Sequence, residues 1–413
     1  MIVHGRLRIV DWRSRQLFQL CLLSSVVCLL FGTGCTTGSR RAPGRTVVEV
    51  RPTVLPARLI SNFFVVEANL DGGAPYRFLV DTGSTVSYVT PKLAQRFAVK
   101  EKKGATPRLV RVRSAHGEET ELPALTLRQL RIGASLFERV PALAYDFTDL
   151  SSHLGLQIDG IIGFPVFQHT LLTLDYLEKR LIIAPSVAAY APPPKQTPRI
   201  STLTFGSQQG TPLIPIQMGN ESFVALIDSG SDGSLSLNPA GLHPRFANGP
   251  RAGTIISSLQ GDRPQLTGRL DQSVLLGTNL IHQPIVDLTD QLSSIGGEIL
   301  RHFAVTFDQR RNLVTFARET DGPVAMESRR HTGLSFARSP AYWRVLAVIP
   351  DTPTAALPVQ AGDLCVRING EPVDKWDYER YAALLKAATK VTYTFLTGTK
   401  ETDLEVPIFT LVP

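Results

Sequence analysis

The chain has 413 residues, 43% of them hydrophobic and only 19% charged, with a formal net charge of +7. Its length suggests roughly three domains at ~150 residues each, its apolar content excludes a disordered chain, and 32 Gly and 29 Pro favour short strands and turns over long helices. Arg6, Arg8, Arg13 and Arg15 against Asp11 put +3 of the charge before residue 35, and the +4 left over is too little to argue for a nucleic-acid partner.

The chain opens with those arginines, then an apolar run over residues 20–31, then Gly32-Thr33-Gly34 and Cys35. This is the pattern of a signal peptide over residues 1–34, with an apolar run short of the ~20 residues that span a bilayer. Small residues before a Cys and polar Thr36-Thr37-Gly38-Ser39 after it resemble a bacterial lipoprotein cleavage site, although Gly32 stands where that pattern usually has Leu. The resemblance implies a lipid on Cys35, a tether over residues 35–47 and an exported protein anchored in the bacterial cell envelope, facing the periplasm or the exterior. With Cys21 and Cys28 leaving with the signal and Cys35 acylated, Cys365 is the only thiol left, so no intramolecular disulfide is expected. Its strand-like setting, Leu364-Cys365-Val366-Arg367-Ile368, predicts a small buried apolar residue.

An internal repeat follows. Phe78-Leu79-Val80-Asp81-Thr82-Gly83-Ser84 and Ala225-Leu226-Ile227-Asp228-Ser229-Gly230-Ser231 are both apolar strands entering Asp-(Thr/Ser)-Gly-Ser, 147 residues apart. Three further landmarks recur at a common offset of 133: Gly163 and Gly296, His169 and His302, Asp175 and Asp308. An ordered series of this kind is a duplication. Both copies read as short strands with Gly, Pro, Asn and Asp turns, joined by the proline-rich stretch 191–198, a semi-rigid spacer.

Two such Asp loops, one per half, resemble the aspartic peptidases, and the bacterial retropepsin-like ones in particular, over roughly residues 48–318. Ile161-Ile162-Gly163 and Ser294-Ile295-Gly296 match the family's apolar-apolar-Gly segment, the second with Ser in first place. The implied fold is mostly β: two homologous retropepsin-like β-barrel lobes, residues 48–190 and 199–318, forming a pepsin-like pseudo-dimer around one site. Asp81 and Asp228 are then the catalytic pair. Like charges that close cannot both ionise, so the pair shares a proton and offers an acid and a base together, with no metal or cofactor required. Thr82 and Ser229 are placed to brace the loops, and Gly83 and Gly230 to give a backbone conformation closed to other residues, letting amides reach the carboxylates.

The family's substrate-covering flap falls at Ser114, His116 and Gly117 in the first half and Gln260 and Gly261 in the second, with His116 35 residues after Asp81 and Gln260 32 after Asp228. Asp232, a third carboxylate where the first loop has Thr85, either raises the protonation of the pair or points to solvent; solvent is the simpler expectation. His169 and His302 read as structural. Among the eight His, no two lie within four residues, and there is no Cys-x-x-Cys, Gly-x-Ser-x-Gly or Gly-Lys-(Ser/Thr), which removes the usual zinc, serine and nucleotide signatures.

After a polar stretch, 319–330, the segment 331–413 resembles a PDZ domain, a small α+β module. Gly333-Leu334-Ser335-Phe336 matches that family's carboxylate-binding loop with Ser in third place, and Tyr378 to Lys386 has the spacing of the flanking helix. The resemblance implies docking of a peptide or protein terminus by strand addition. A peptide or protein substrate, a lipid anchor and a C-terminal peptide ligand are thus the expected partners. The rival from another class is a catalytically silent peptide-binding scaffold, a lipoprotein that keeps the lobes for grip alone.

Overall fold

The computed structural model describes residues 42–100, 108–113, 119–186, 199–206, 210–258 and 261–413, with only the backbone for 254–258 and 261–264. Cys35, the signal segment, the stretch 191–198, Ser114, His116, Gly117 and Gln260 lie outside the described residues. The described part is mostly β and belongs to one compact unit.

A nine-stranded sheet holds the first Asp loop. Its centre is the strand Pro75–Asp81, whose Phe78-Leu79-Val80 are buried on both faces; it runs parallel to Gly160–Gly163, with Asp81 opposite Gly163. Strand Ser87–Val89 lies antiparallel to Gly160–Gly163 and parallel to Ser135–Ala144. A ten-stranded sheet repeats the arrangement: Glu221–Ile227 runs parallel to Ser293–Ile295, and Leu235–Leu237 is antiparallel to Ser293–Ile295 and parallel to Ile285–Leu288. Parallel neighbours buried on both faces call for continuous apolar runs, and both Asp-bearing strands have them.

Between these sheets lies a six-stranded one to which the segments flanking both Asp loops contribute. Its order is Ile200–Thr204, Leu313–Ala317, Ala304–Asp308, Thr170–Asp175, Arg180–Pro185, Thr53–Pro56. At its middle Thr173 pairs with Thr306, its counterpart at the 133-residue offset, with the two hydroxyls 2.8 Å apart. One apolar cluster runs through this layer, with Phe164 packing edge-on to Phe307 at 5.2 Å between ring centres. The expected tether ends sooner than residue 47. Arg45–Val47 is a strand paired to Ser135–Ala144, because its backbone finds an open sheet edge and Arg45 a partner in Glu138.

Among the described residues there are four α-helices: α1 (Pro91–Phe97), α2 (Thr148–Leu154), α3 (Gly297–Leu300) and α4 (Tyr378–Ala387). Helix α2 stops at Gly155, which takes the left-handed φ of 63° that favours glycine. Helix α4 starts at Asp377, whose side chain accepts the Arg380 amide. It packs on a C-terminal sheet of order Leu334–Arg338, Trp343–Val348, Leu364–Ile368, Lys390–Thr397, Lys400–Pro407, over Phe336, Trp343, Tyr381 and Tyr393. Cys365 is fully buried there, and burial pushes its thiol up to about 12.

The polar stretch 319–330 is not a free spacer. Val324–Ala325 extends the ten-stranded sheet, and the half-buried Arg329 is paired with Asp287 (3.1 Å) and Glu298 (3.2 Å). Charge in sequence suggested solvent; here it is spent on an internal ion cluster.

Candidate active site

Asp81 and Asp228 each stand at the end of a central strand, where the chain leaves the sheet. The Gly83 amide donates to Asp81 Oδ1 at 2.8 Å and the Gly230 amide to Asp228 Oδ1 at 2.9 Å, so each loop turns back on its own carboxylate. The neighbouring hydroxyls cross to the opposite loop. Thr82 Oγ1 donates to the Ile227 carbonyl (2.6 Å) and accepts from the Ser229 amide (3.0 Å), while Ser229 Oγ donates to the Val80 carbonyl (2.7 Å) and accepts from the Thr82 amide (3.0 Å). Both side chains are fully buried. Four hydrogen bonds closed on two hydroxyls fix the loops to each other without any charged group, which leaves the field at the carboxylates to the carboxylates themselves.

The two glycines serve a different purpose from the one expected. Neither has a positive φ. A Cβ on Gly83 would instead fall on the Asp228 carboxylate, and one on Gly230 on that of Asp81. Glycine is required by the close approach of the two halves, each loop resting on the other's acid.

The half-buried carboxyl groups of Asp81 and Asp228 lie side by side where the two loops meet, each against the other loop's glycine. Desolvation is the main cause that drives Asp81 well above the ordinary carboxylate range, with the facing charge of Asp228 next; the Gly83 amide works against both. Asp228 is also raised by burial, to about 6, opposed by the Gly230 amide. The shifts belong to the pair, which at intermediate pH holds one proton between two oxygens.

Two tyrosines that sequence reasoning missed surround the pair. Tyr88, in the strand after the first loop, is pushed up to about 12 by burial and by the charge of Asp81. Tyr176 lies just past the landmark Asp175, edge-on to Phe64, and burial, then the charges of Asp228 and Asp81, push its pKa up. Its hydroxyl is buried with no hydrogen-bond partner among the described residues. Their settings, a short apolar strand for Tyr88 and a turn for Tyr176, gave no signal beyond their place after a landmark.

The remaining candidates scatter. Asp232 neither joins the pair nor points to open solvent: it is half-buried and accepts a 2.6 Å hydrogen bond from Ser61 Oγ. His169 is exposed, and His302 is half-buried beside Arg301, Arg318 and Glu327. Gly261 opens the strand Gly261–Leu270, pairing with Ser258 in a long hairpin. Gly333 has a φ of 81° and gives its amide to His331 Nδ1 at 2.9 Å; Leu334 and Phe336 are buried and Ser335 is half-buried. The strand Leu334–Arg338 is at its sheet's edge, with helix α2 packed against it and the Arg338 guanidinium donating to the His153 carbonyl at 3.2 Å.

Residues 66–166 match a family described as aspartyl protease. The match takes in Asp81-Thr82-Gly83 and Ile161-Ile162-Gly163 and stops before the second loop. None of the curated proteins is a significant match to the chain.

Proposed function

We propose that the chain is an aspartic endopeptidase that hydrolyses peptide bonds through Asp81 and Asp228, built as two homologous lobes in one chain, followed by a PDZ-like module. One observation carries the reading: two carboxyl groups packed side by side, each against the other loop's glycine, on loops locked together by Thr82 and Ser229. The family match over the first loop supports it.

In the proposed reaction the ionised member of the pair takes a proton from a water lying between the carboxyls, and the protonated member donates to the scissile carbonyl as the tetrahedral intermediate forms. As the C–N bond breaks, the carboxyl that took the water's proton passes it to the departing amine and the other takes back a proton from a hydroxyl of the intermediate, so the pair again holds one proton. The Gly83 and Gly230 amides hold the inner oxygens, so the outer ones face the substrate. Residues in the two long hairpins, His116 and Gln260 among them, cover it. The PDZ-like module docks a protein terminus at Gly333-Leu334-Ser335-Phe336. Lipid on Cys35 anchors the whole to the bacterial cell envelope.

A soluble form starting at Thr36 should cleave members of a peptide library, and Asp81→Asn and Asp228→Asn should each abolish cleavage with the fold intact. Asn keeps the shape but cannot exchange protons. Wild-type turnover by either variant refutes the pairing. In cells, Cys35→Ser should release the protein from membranes or leave its signal unprocessed; unchanged attachment with normal processing rules out the lipid.

A further inference from the structure

The loop that carries Asp228 continues through Ser231, Asp232 and Gly233, and it is held from two sides. From helix α3, the Gly297 amide donates to the Ser231 carbonyl at 2.7 Å and the Glu298 amide to the Gly233 carbonyl at 3.0 Å. From the opposite half comes the two-residue turn Ser61-Asn62, between the strands Arg58–Ile60 and Phe63–Leu70. Asn62 Nδ2 donates to the Asp232 carbonyl at 2.9 Å, and Ser61 Oγ donates to Asp232 Oδ2 at 2.6 Å. Both turn residues have positive φ, 48° and 68°. Side chains resist that conformation, and it persists where surrounding contacts demand it.

A third member enters from the C-terminal module. The Tyr378 hydroxyl is 2.9 Å from Ser61 Oγ. Ser61 has one proton, and the carboxylate is the stronger acceptor, so the proton goes to Asp232 and Ser61 accepts from Tyr378 in turn. Tyr378 is the first residue of α4, next to the cap Asp377, and its ring lies 4.9 Å from the Arg338 guanidinium and against the cluster containing Phe147 and Leu154. Every member of the chain from Tyr378 to Asp232 is therefore fixed at both ends.

We propose that Tyr378 is a positioning residue of the peptidase reaction: through Ser61 it holds Asp232 away from the catalytic pair and fixes the loop on which Asp228 stands. The inference rests on the reading of Asp81 and Asp228 given above. It makes the C-terminal module part of the catalytic scaffold, whatever else that module binds. Loss of the Tyr378 hydroxyl leaves Ser61 held by Asp232 alone, with nothing to fix its rotamer from the module side, and the loop loosens while the substrate surface stays as it was.

The test is Tyr378→Phe in the form starting at Thr36, read by peptide cleavage and by hydrogen exchange of the amides of 229–233. Tyr381→Phe is the comparison, since it removes a buried hydroxyl from the same helix, bonded to Tyr393 and remote from the loop. Tyr378→Phe is expected to lower kcat about tenfold with KM held within about twofold, and to speed exchange in the loop; Tyr381→Phe should change neither. Ser61→Ala, outside the module, should reproduce the effect and stands in if Tyr378→Phe misfolds. Wild-type kcat and exchange in both Tyr378→Phe and Ser61→Ala overturn the inference. If wild-type protein cleaves nothing, the peptidase reading fails by itself and exchange alone decides the brace: faster exchange supports it, unchanged exchange ends it.

Discussion

The carboxyls of Asp81 and Asp228 cost stability in proportion to how strongly burial raises them. A carboxyl whose folded pKa lies above its unfolded value of ~3.9 binds its proton more tightly in the folded state, so folding is favoured below that value and the advantage is lost as pH rises through the folded one. For Asp228 the window runs from ~4 to about 6, and for Asp81 it extends further. Asp81→Asn and Asp228→Asn should therefore melt at higher temperature than wild type at pH 7 and converge with it near pH 3; thermal scans at both pH values check this, and a lower Tm at pH 7 contradicts it. In the proposed reaction the same shifts set the pH dependence. Below the lower pKa of the pair both carboxyls are protonated and the base is gone, so kcat/KM should fall on the acid side near pH 6 rather than near 4. Tyr176→Phe removes an orphaned buried hydroxyl and should add about 1 kcal/mol in a urea titration, with cleavage retained. Asp81, Thr82, Asp228 and Ser229 were legible because a duplication writes each motif twice. Ser61, Tyr88, Tyr176 and Tyr378 were not, because their roles arise from contacts between distant segments that no local pattern records.

Strands and turns explain which landmarks the repeat preserves. Asp175 accepts from the Glu178 amide and Arg180 at the turn after its strand; Asp308, 133 residues on, accepts from the Arg310 and Arg311 amides and the Arg311 side chain. Each buried acid closes one hairpin of the middle sheet, which is why Asp recurs there, while His169 and His302 have no matching contacts. The middle sheet itself was not legible, since strands alternate in the same way whether they stay within one half or join both. Nor was Arg329, whose charged surroundings in sequence suggest a solvated link. Its guanidinium is held by Asp287, Glu298 and the Thr267 hydroxyl, and those acids push its pKa up against the cost of burial. Arg329→Ala takes the ion-pair partner from buried Asp287 and half-buried Glu298 and should destabilise by about 3 kcal/mol in denaturant unfolding. Adding Asp287→Asn and Glu298→Gln should recover much of that loss; no recovery would place the effect in packing instead.

Across the whole molecule, the C-terminal module is joined to the rest by more than its chain connection. Ile349, Leu411 and Val412 share an apolar cluster with Ile285 of the ten-stranded sheet, Tyr378 packs against the cluster that contains Phe147 and Leu154, and Arg269 bonds the backbone of Pro413. A tether that merely raised the local concentration of a captured substrate would need none of these contacts. Removing residues 331–413 uncovers that apolar surface, deletes the partner of the strand Arg329–His331 and leaves Ser61 without Tyr378. The truncated protein should melt at markedly lower temperature, and what remains folded should lose kcat for short internal peptides and for long protein substrates alike. Thermal unfolding and parallel assays on the two substrate classes measure this. A truncated protein with unchanged Tm and unchanged kcat on short peptides, but a raised KM for long ones, would show that the module acts as a docking tether, because remote binding contributes to capture without touching the reacting carbonyl.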